Sequence, residues 1–118
     1  MTAFVLIAHG SKNPKFQEIV LKVAKELENK EDVKRVYVGF LMGKPSIEDA
    51  IKKAAANDDI LVIVPFFIAE GSHVVQDIRR KVEEVVGNRK KVVYAKALGD
   101  HPLIVETLYQ RYLEAVRE

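Results

Sequence analysis

Four short apolar runs rich in β-branched residues alternate along the chain with longer segments whose apolar residues recur every three or four positions. The first run is Ala3 to Ala8. After it Phe16, Ile19, Val20, Val23 and Leu27 recur among charges, the spacing of one helical face. The second run, Val33 to Leu41, begins with partial alternation and becomes continuous, as in a strand with one more exposed end. A helix is predicted to start near Pro45, with the proline in its first turn and Ser46, Glu48 and Asp49 adding capping groups and favourable charge.

The third run, Ile60 to Pro65, is the most apolar of all and predicts a central parallel strand covered on both faces. A helix from about Val74 to Val86 follows, closed by Gly87 and Asn88, which tolerate the left-handed conformation that ends helices. The fourth run is Lys91 to Ala97. A last helix starts near Pro102 and continues to the C-terminus.

This strand–helix alternation predicts a three-layer α/β sandwich with a four-stranded parallel sheet, of chelatase-like or flavodoxin-like type. Right-handed crossovers favour the spatial order 2-1-3-4. In that order the winding reverses between strands 1 and 3. A crevice then opens at the carboxyl ends of those strands, where open α/β sheets take their ligands.

Composition narrows the chemistry. With 118 residues the chain is expected to form one domain, 1–118, able to bury a core without disulfide staples. The balance of 19 Lys and Arg against 17 Asp and Glu offers no basic footprint for nucleic acid. With no cysteine, a disulfide framework, a thiolate zinc site, an iron–sulfur cluster and a cysteine nucleophile are all excluded, so any metal needs nitrogen or oxygen donors. The longest apolar run, Ile60 to Ala69, contains a proline and is about half the length needed to cross a bilayer. The N-terminal run has neither a basic region before it nor a small-residue cleavage site, so no signal peptide is predicted. These features lead one to expect a cytoplasmic protein with neither a nucleic acid nor a membrane as partner.

Against that background the histidines stand out. His9, in "FVLIAHGSKNP", ends the first strand, and His73, in "AEGSHVVQDI", lies just past the third. The predicted topology makes those strands neighbours, so both imidazoles project into one crevice, each beside a Gly-Ser or Ser-Gly pair. Such a pair can hold Co²⁺, Ni²⁺, Fe²⁺ or Zn²⁺. Two donors are too few for a closed structural site, so the predicted centre is open, with positions for water or substrate. The competing reading of each histidine is a polar surface or capping residue.

His101, in "LGDHPLI", is better read as a local cap, farther from the crevice centre. Glu70 is a candidate carboxylate for metal or proton, with a solvated loop glutamate as its alternative. Phe66, Phe67 and Ile68 are suited to the wall of a pocket for a flat organic ligand, or equally to core and dimer packing. Phosphate chemistry fits less well: the lysine-terminated "GxxxxGK[ST]" loop is missing, and Ala8 stands where a phosphohistidine enzyme would have the arginine of "RHG". Ser11 lacks the "GxSxG" context of a nucleophile.

Together "LIAHGSKNP", "VPFFIAEGSHVVQDI" and "ALGDHPLIVETL" resemble, in order and over nearly the whole chain, the short archaeal sirohydrochlorin cobaltochelatases, class II tetrapyrrole chelatases also linked to nickel insertion. The resemblance implies a homodimer, since longer chelatases contain two such halves facing one cleft. It implies His9 and His73 as metal-binding catalytic residues, with no role carried onto His101. It also implies insertion of a divalent metal (Co²⁺, with Ni²⁺ and Fe²⁺ as alternatives) into sirohydrochlorin in the cobalamin or nickel branch of tetrapyrrole biosynthesis. In that reaction the metal is substrate, and neither ATP nor an organic cofactor is needed. The N–H groups of Gly10, Ser11 and Ser72, assisted by Lys12 or Lys44, are candidates to receive the carboxylates of that macrocycle. A metal- or tetrapyrrole-binding carrier that does not turn over is the alternative outside enzymes, and a phosphate-handling flavodoxin-like domain is the rival within them.

Overall fold

The computed structural model describes residues 1–117. In chain order it contains β1 (Thr2–Gly10), α1 (Pro14–Leu27), β2 (Val36–Met42), α2 (Ile47–Asn57), β3 (Ile60–Pro65), α3 (Ser72–Val86), β4 (Lys91–Tyr94) and α4 (Pro102–Val116). The strands form one parallel sheet in the order β2-β1-β3-β4. The winding reverses between β1 and β3, as the alternation of runs predicts.

The two-residue period of β1 divides the core. Ala3, Val5 and Ile7 pack with Ile47, Ala50, Ile51 and Ala54 of α2 and Ile78, Val82 and Val86 of α3. Leu6 and Ala8 point to the other face, where Val20 and Ala24 of α1 meet Val38 and Phe40. At about 25 cal/mol per Å² of apolar surface, these two clusters are the main favourable term holding the layers together.

β3 is covered less evenly than its sequence suggests. Leu61, Ile63 and Pro65 are buried under α2 and α3, but Ile60, Val62 and Val64 on the α1 face are only half-buried. A second helix would be needed to cover that face. α4 does not supply it, since none of its residues belongs to either cluster.

Several boundaries also differ from the sequence reading. Val33–Arg35 lie outside β2, because the Val33 N–H closes a turn on the Lys30 carbonyl just after α1. Pro45 lies before α2, joined to Lys44 by a cis peptide bond, and Ser46 caps that helix by accepting from the Asp49 N–H at 3.1 Å. β4 ends at Tyr94. The Ala95 N–H still donates to the Ile63 carbonyl, but the chain then turns across the end of β3.

Candidate functional site

β1 runs on past its β3 partner. Pairing with β3 ends at Ile7 opposite Pro65, whereas pairing with β2 continues to Gly10 opposite Met42. His9 therefore stands at the carboxyl edge of the sheet with its ring exposed. It continues the odd-numbered register of Val5 and Ile7, which faces α2 and α3. On that face its imidazole meets the buried Phe67 edge-on, with ring centroids 5.1 Å apart and planes at 63°.

The loop after His9 is tightly fixed. Gly10 has φ +82°, and a Cβ there would lie 1.9 Å from the Met42 carbonyl oxygen, so only glycine lets β1 and β2 close up at this point. The Ser11 hydroxyl accepts from the Asn13 N–H at 3.0 Å, and Asn13 in turn caps α1 through the Lys15 N–H. Ser11 thus shapes the loop with its side chain. Its carbonyl accepts a 2.6 Å hydrogen bond from Gln17 Nε2 of α1. Gln17 is missed by pattern reading because a polar residue within an amphipathic helix gives no signal of an inward role; its Oε1 is buried without a partner.

His73 sits differently from its expected place in a loop. Helix α3 begins at Ser72, so His73 occupies the first turn, exposed, immediately after the β3 exit. Gly71 is the N-cap, and no side chain caps this terminus among the described residues, which leaves the Ser72 and neighbouring N–H groups at the positive end of the helix dipole open to an anion. The fold thus brings His9, Gly10 and Ser11 to one sheet edge with Ser72 and His73, from adjacent strand ends and on the face that carries α3. Lys12 and Lys44, both exposed, flank that edge at the ends of β1 and β2.

Glu70 turns elsewhere. It lines a separate cleft of about 260 Å³ between α3 and β4 with Arg79, Tyr94 and Lys96. There the Arg79 guanidinium lies 4.0 Å from the centre of the Tyr94 ring. Burial pushes the Tyr94 phenol above its ordinary pKa, partly offset by the Arg79 charge. His101 is the N-cap of α4, its Nδ1 accepting from the Leu103 N–H at 3.1 Å, in keeping with a capping role. Its loop is nearer the site than its position after an edge strand suggests: the Leu98 and Gly99 N–H groups donate to the carbonyls of Phe67 and Ile68 at 2.9 and 2.8 Å.

Among the described residues, no three His, Cys, Asp or Glu side chains gather closely enough to hold a metal ion.

Residues 3–115 match the model of the CbiX family. The chain is 32% identical to the sirohydrochlorin cobaltochelatase of Methanopyrus kandleri, covering 100% of this chain and 99% of that one. It is 34% identical to the sirohydrochlorin cobaltochelatase of Sulfurisphaera tokodaii, covering 99% and 96%. Among solved structures, a cobalamin (vitamin B12) biosynthesis CbiX protein from Marinobacter aquaeolei aligns with TM-score 0.80 and 20% identity over 99% of this chain and 98% of that one. The sirohydrochlorin chelatase SirB from Bacillus subtilis, solved in complex with cobalt, aligns with TM-score 0.83 and 18% identity over 96% of this chain but only 50% of its own.

Proposed function

The chain belongs to the CbiX family, and from that premise we propose that it is a metal chelatase inserting Co²⁺ into sirohydrochlorin, with His9 and His73 as the groups that deliver the metal. The observation that carries this reading is their placement on one sheet edge, at the ends of adjacent strands and toward one face. The reaction consumes one divalent cation and one free-base macrocycle and releases two pyrrole protons. The reading includes no requirement for ATP.

Neutral imidazoles suit each demand of that reaction. They bind a borderline divalent ion strongly enough to capture it, yet exchange it for the four ring nitrogens. Once relieved of metal, an imidazole can accept a departing pyrrole proton. Holding ion and ring in one cleft removes the entropic cost of their encounter from the chemical step. The uncapped α3 terminus at Ser72, the loop N–H groups of Gly10 and Ser11, and Lys12 and Lys44 provide charge complementary to the carboxylates on the rim of the macrocycle. Phe67 backs His9 and fixes its plane.

Ni²⁺ is a second substrate on this reading, because imidazole donors accept both ions and affinity follows the metal more than the protein. The active species is a homodimer. Two half-clefts are needed to enclose a ring that one open edge leaves exposed, and the SirB chain, twice the length matched, is consistent with two halves in one polypeptide.

The deciding experiment is an anaerobic absorbance time course of sirohydrochlorin with substoichiometric protein, offering Co²⁺ and Ni²⁺ separately. Several turnovers per chain establish the chelatase. A single stoichiometric change without turnover would instead mark a carrier.

A further inference from the structure

Gln17 occupies a position where packing alone calls for an apolar side chain. It precedes Val20 and Ala24, the two buried residues of α1, at helical spacing and so continues the inward face of that helix. Its Oε1 is buried with no partner among the described residues. A methionine would fill a similar length without an unpaired acceptor, so the amide lowers stability relative to an apolar residue of its size. The use of this side chain lies at its other atom, Nε2.

That atom reaches both loops of the sheet edge. It donates to the Ser11 carbonyl at 2.6 Å. It also lies against Gly43, which has φ +114° and where a Cβ would come within 2.6 Å of it. The turn around Gly43 is itself closed, because the Phe40 N–H donates to the Pro45 carbonyl at 2.8 Å. One side chain of α1 is thus wedged between the loops that follow β1 and β2, just beyond Gly10 and Met42, where the pairing of those strands ends.

A lysine follows each contact. Lys12 comes directly after Ser11 and Lys44 directly after Gly43; both are exposed, and among the described residues neither forms an ion pair. A trans peptide group is planar with its C=O and N–H on opposite edges, so a Ser11 carbonyl held toward Gln17 turns the Lys12 N–H away from it. His9 depends on none of this, since the β1–β2 ladder and the Phe67 contact hold it.

We propose that Gln17 is a positioning residue for the macrocycle. Its amide sets the separation of the two loops and the direction of the Lys12 peptide, so that the Lys12 N–H and the ammonium groups of Lys12 and Lys44 meet the ligand's carboxylates together. Gln17 itself touches neither metal nor ring. This role rests on the chelatase reading above and ties this part of the chain to the macrocycle rather than to the metal.

Fluorescence titration of free-base sirohydrochlorin against the full chain, without metal, tests it with Gln17→Met and Gln17→Leu, which remove the amide but differ in shape. Both variants are expected to bind the macrocycle roughly three- to tenfold more weakly, the worth of one oriented hydrogen bond. Their KM for Co²⁺ in steady-state insertion should stay at the wild-type value, and their thermal midpoints should not fall. A macrocycle Kd equal to wild type in either variant would overturn the role. So would a loss of stability or of Co²⁺ affinity in step with the weaker binding, the mark of a merely structural contact; the chelatase reading would survive both results. A wild-type chain that does not bind sirohydrochlorin would remove that reading and this one together.

Discussion

His9 and Phe67 meet edge to face at 5.1 Å, one on the central strand and the other in the loop that follows its neighbour. The contact joins an exposed imidazole to a buried ring, so the orientation of the group proposed to deliver the metal depends on core packing. Phe67→Ala should destabilise the fold by about 3–5 kcal/mol, as expected for truncating a buried aromatic. Phe67→Leu should cost less than about 1.5 kcal/mol. It removes the edge contact, however, and should slow cobalt insertion several-fold while leaving the urea midpoint nearly in place. Steady-state rates beside urea titrations separate the two effects.

The histidines themselves should behave in the opposite way. Both are exposed and neither supports the core. His9→Ala and His73→Ala should each change stability by no more than about 0.5 kcal/mol, yet reduce sirohydrochlorin metallation to the uncatalysed rate. Parallel thermal melts and absorbance time courses check both halves. An unimpaired rate in either variant would refute the delivery role.

Gly10→Ala should damage stability and activity together. A side chain at φ +82° is strained by about 1–3 kcal/mol, and the added Cβ would also collide with the Met42 carbonyl. Relief requires β1 and β2 to part just where the His9 loop begins. Denaturant unfolding should show a loss of at least about 2 kcal/mol, accompanied by weaker capture of Co²⁺.

Tyr94 gives a pH signature away from the site. Burial disfavours its phenolate, so the folded chain keeps the proton to a higher pH than the unfolded chain does. The resulting stability is complete below the ordinary tyrosine value of about 10 and is lost as pH rises through the folded value. Tyr94→Phe should flatten this alkaline decline without abolishing it, since lysines titrate in the same range. Urea midpoints of the two proteins at neutral and alkaline pH provide the comparison.

Much of this architecture is legible in the sequence because one physical signal dominates each element. The apolar run from Ala3 to Ala8 marks the buried part of β1, which extends by His9 and Gly10 beyond its β3 partner, and the four runs favour the observed sheet order through the handedness of their crossovers. Helix starts are harder. His73 falls in α3 rather than before it because Gly71 serves as an N-cap without any side-chain bond, so no capping residue marks the boundary in the sequence. Gln17 is invisible for a related reason: its hydrogen bond to the Ser11 carbonyl links positions whose proximity arises only once α1 packs beneath the loop. The course of α4 is illegible too. Its stripe of Ile104, Leu108 and Tyr112 would look the same whichever sheet it were to cover.

The two histidines proposed to deliver the metal differ in how firmly the chain holds them. His9 lies beyond the β3 pairing but within the stretch of β1 that stays paired with β2 as far as Gly10 and Met42, whereas His73 rides the first turn of a helix whose leading N–H groups have no side-chain partner. Backbone at a helix end opens more readily than a strand paired to its neighbour. On the proposed delivery role, this difference makes His73 the more readily released of the two and His9 the more firmly held, so an ion passing to a macrocycle would be let go first by the helix and last by the strand.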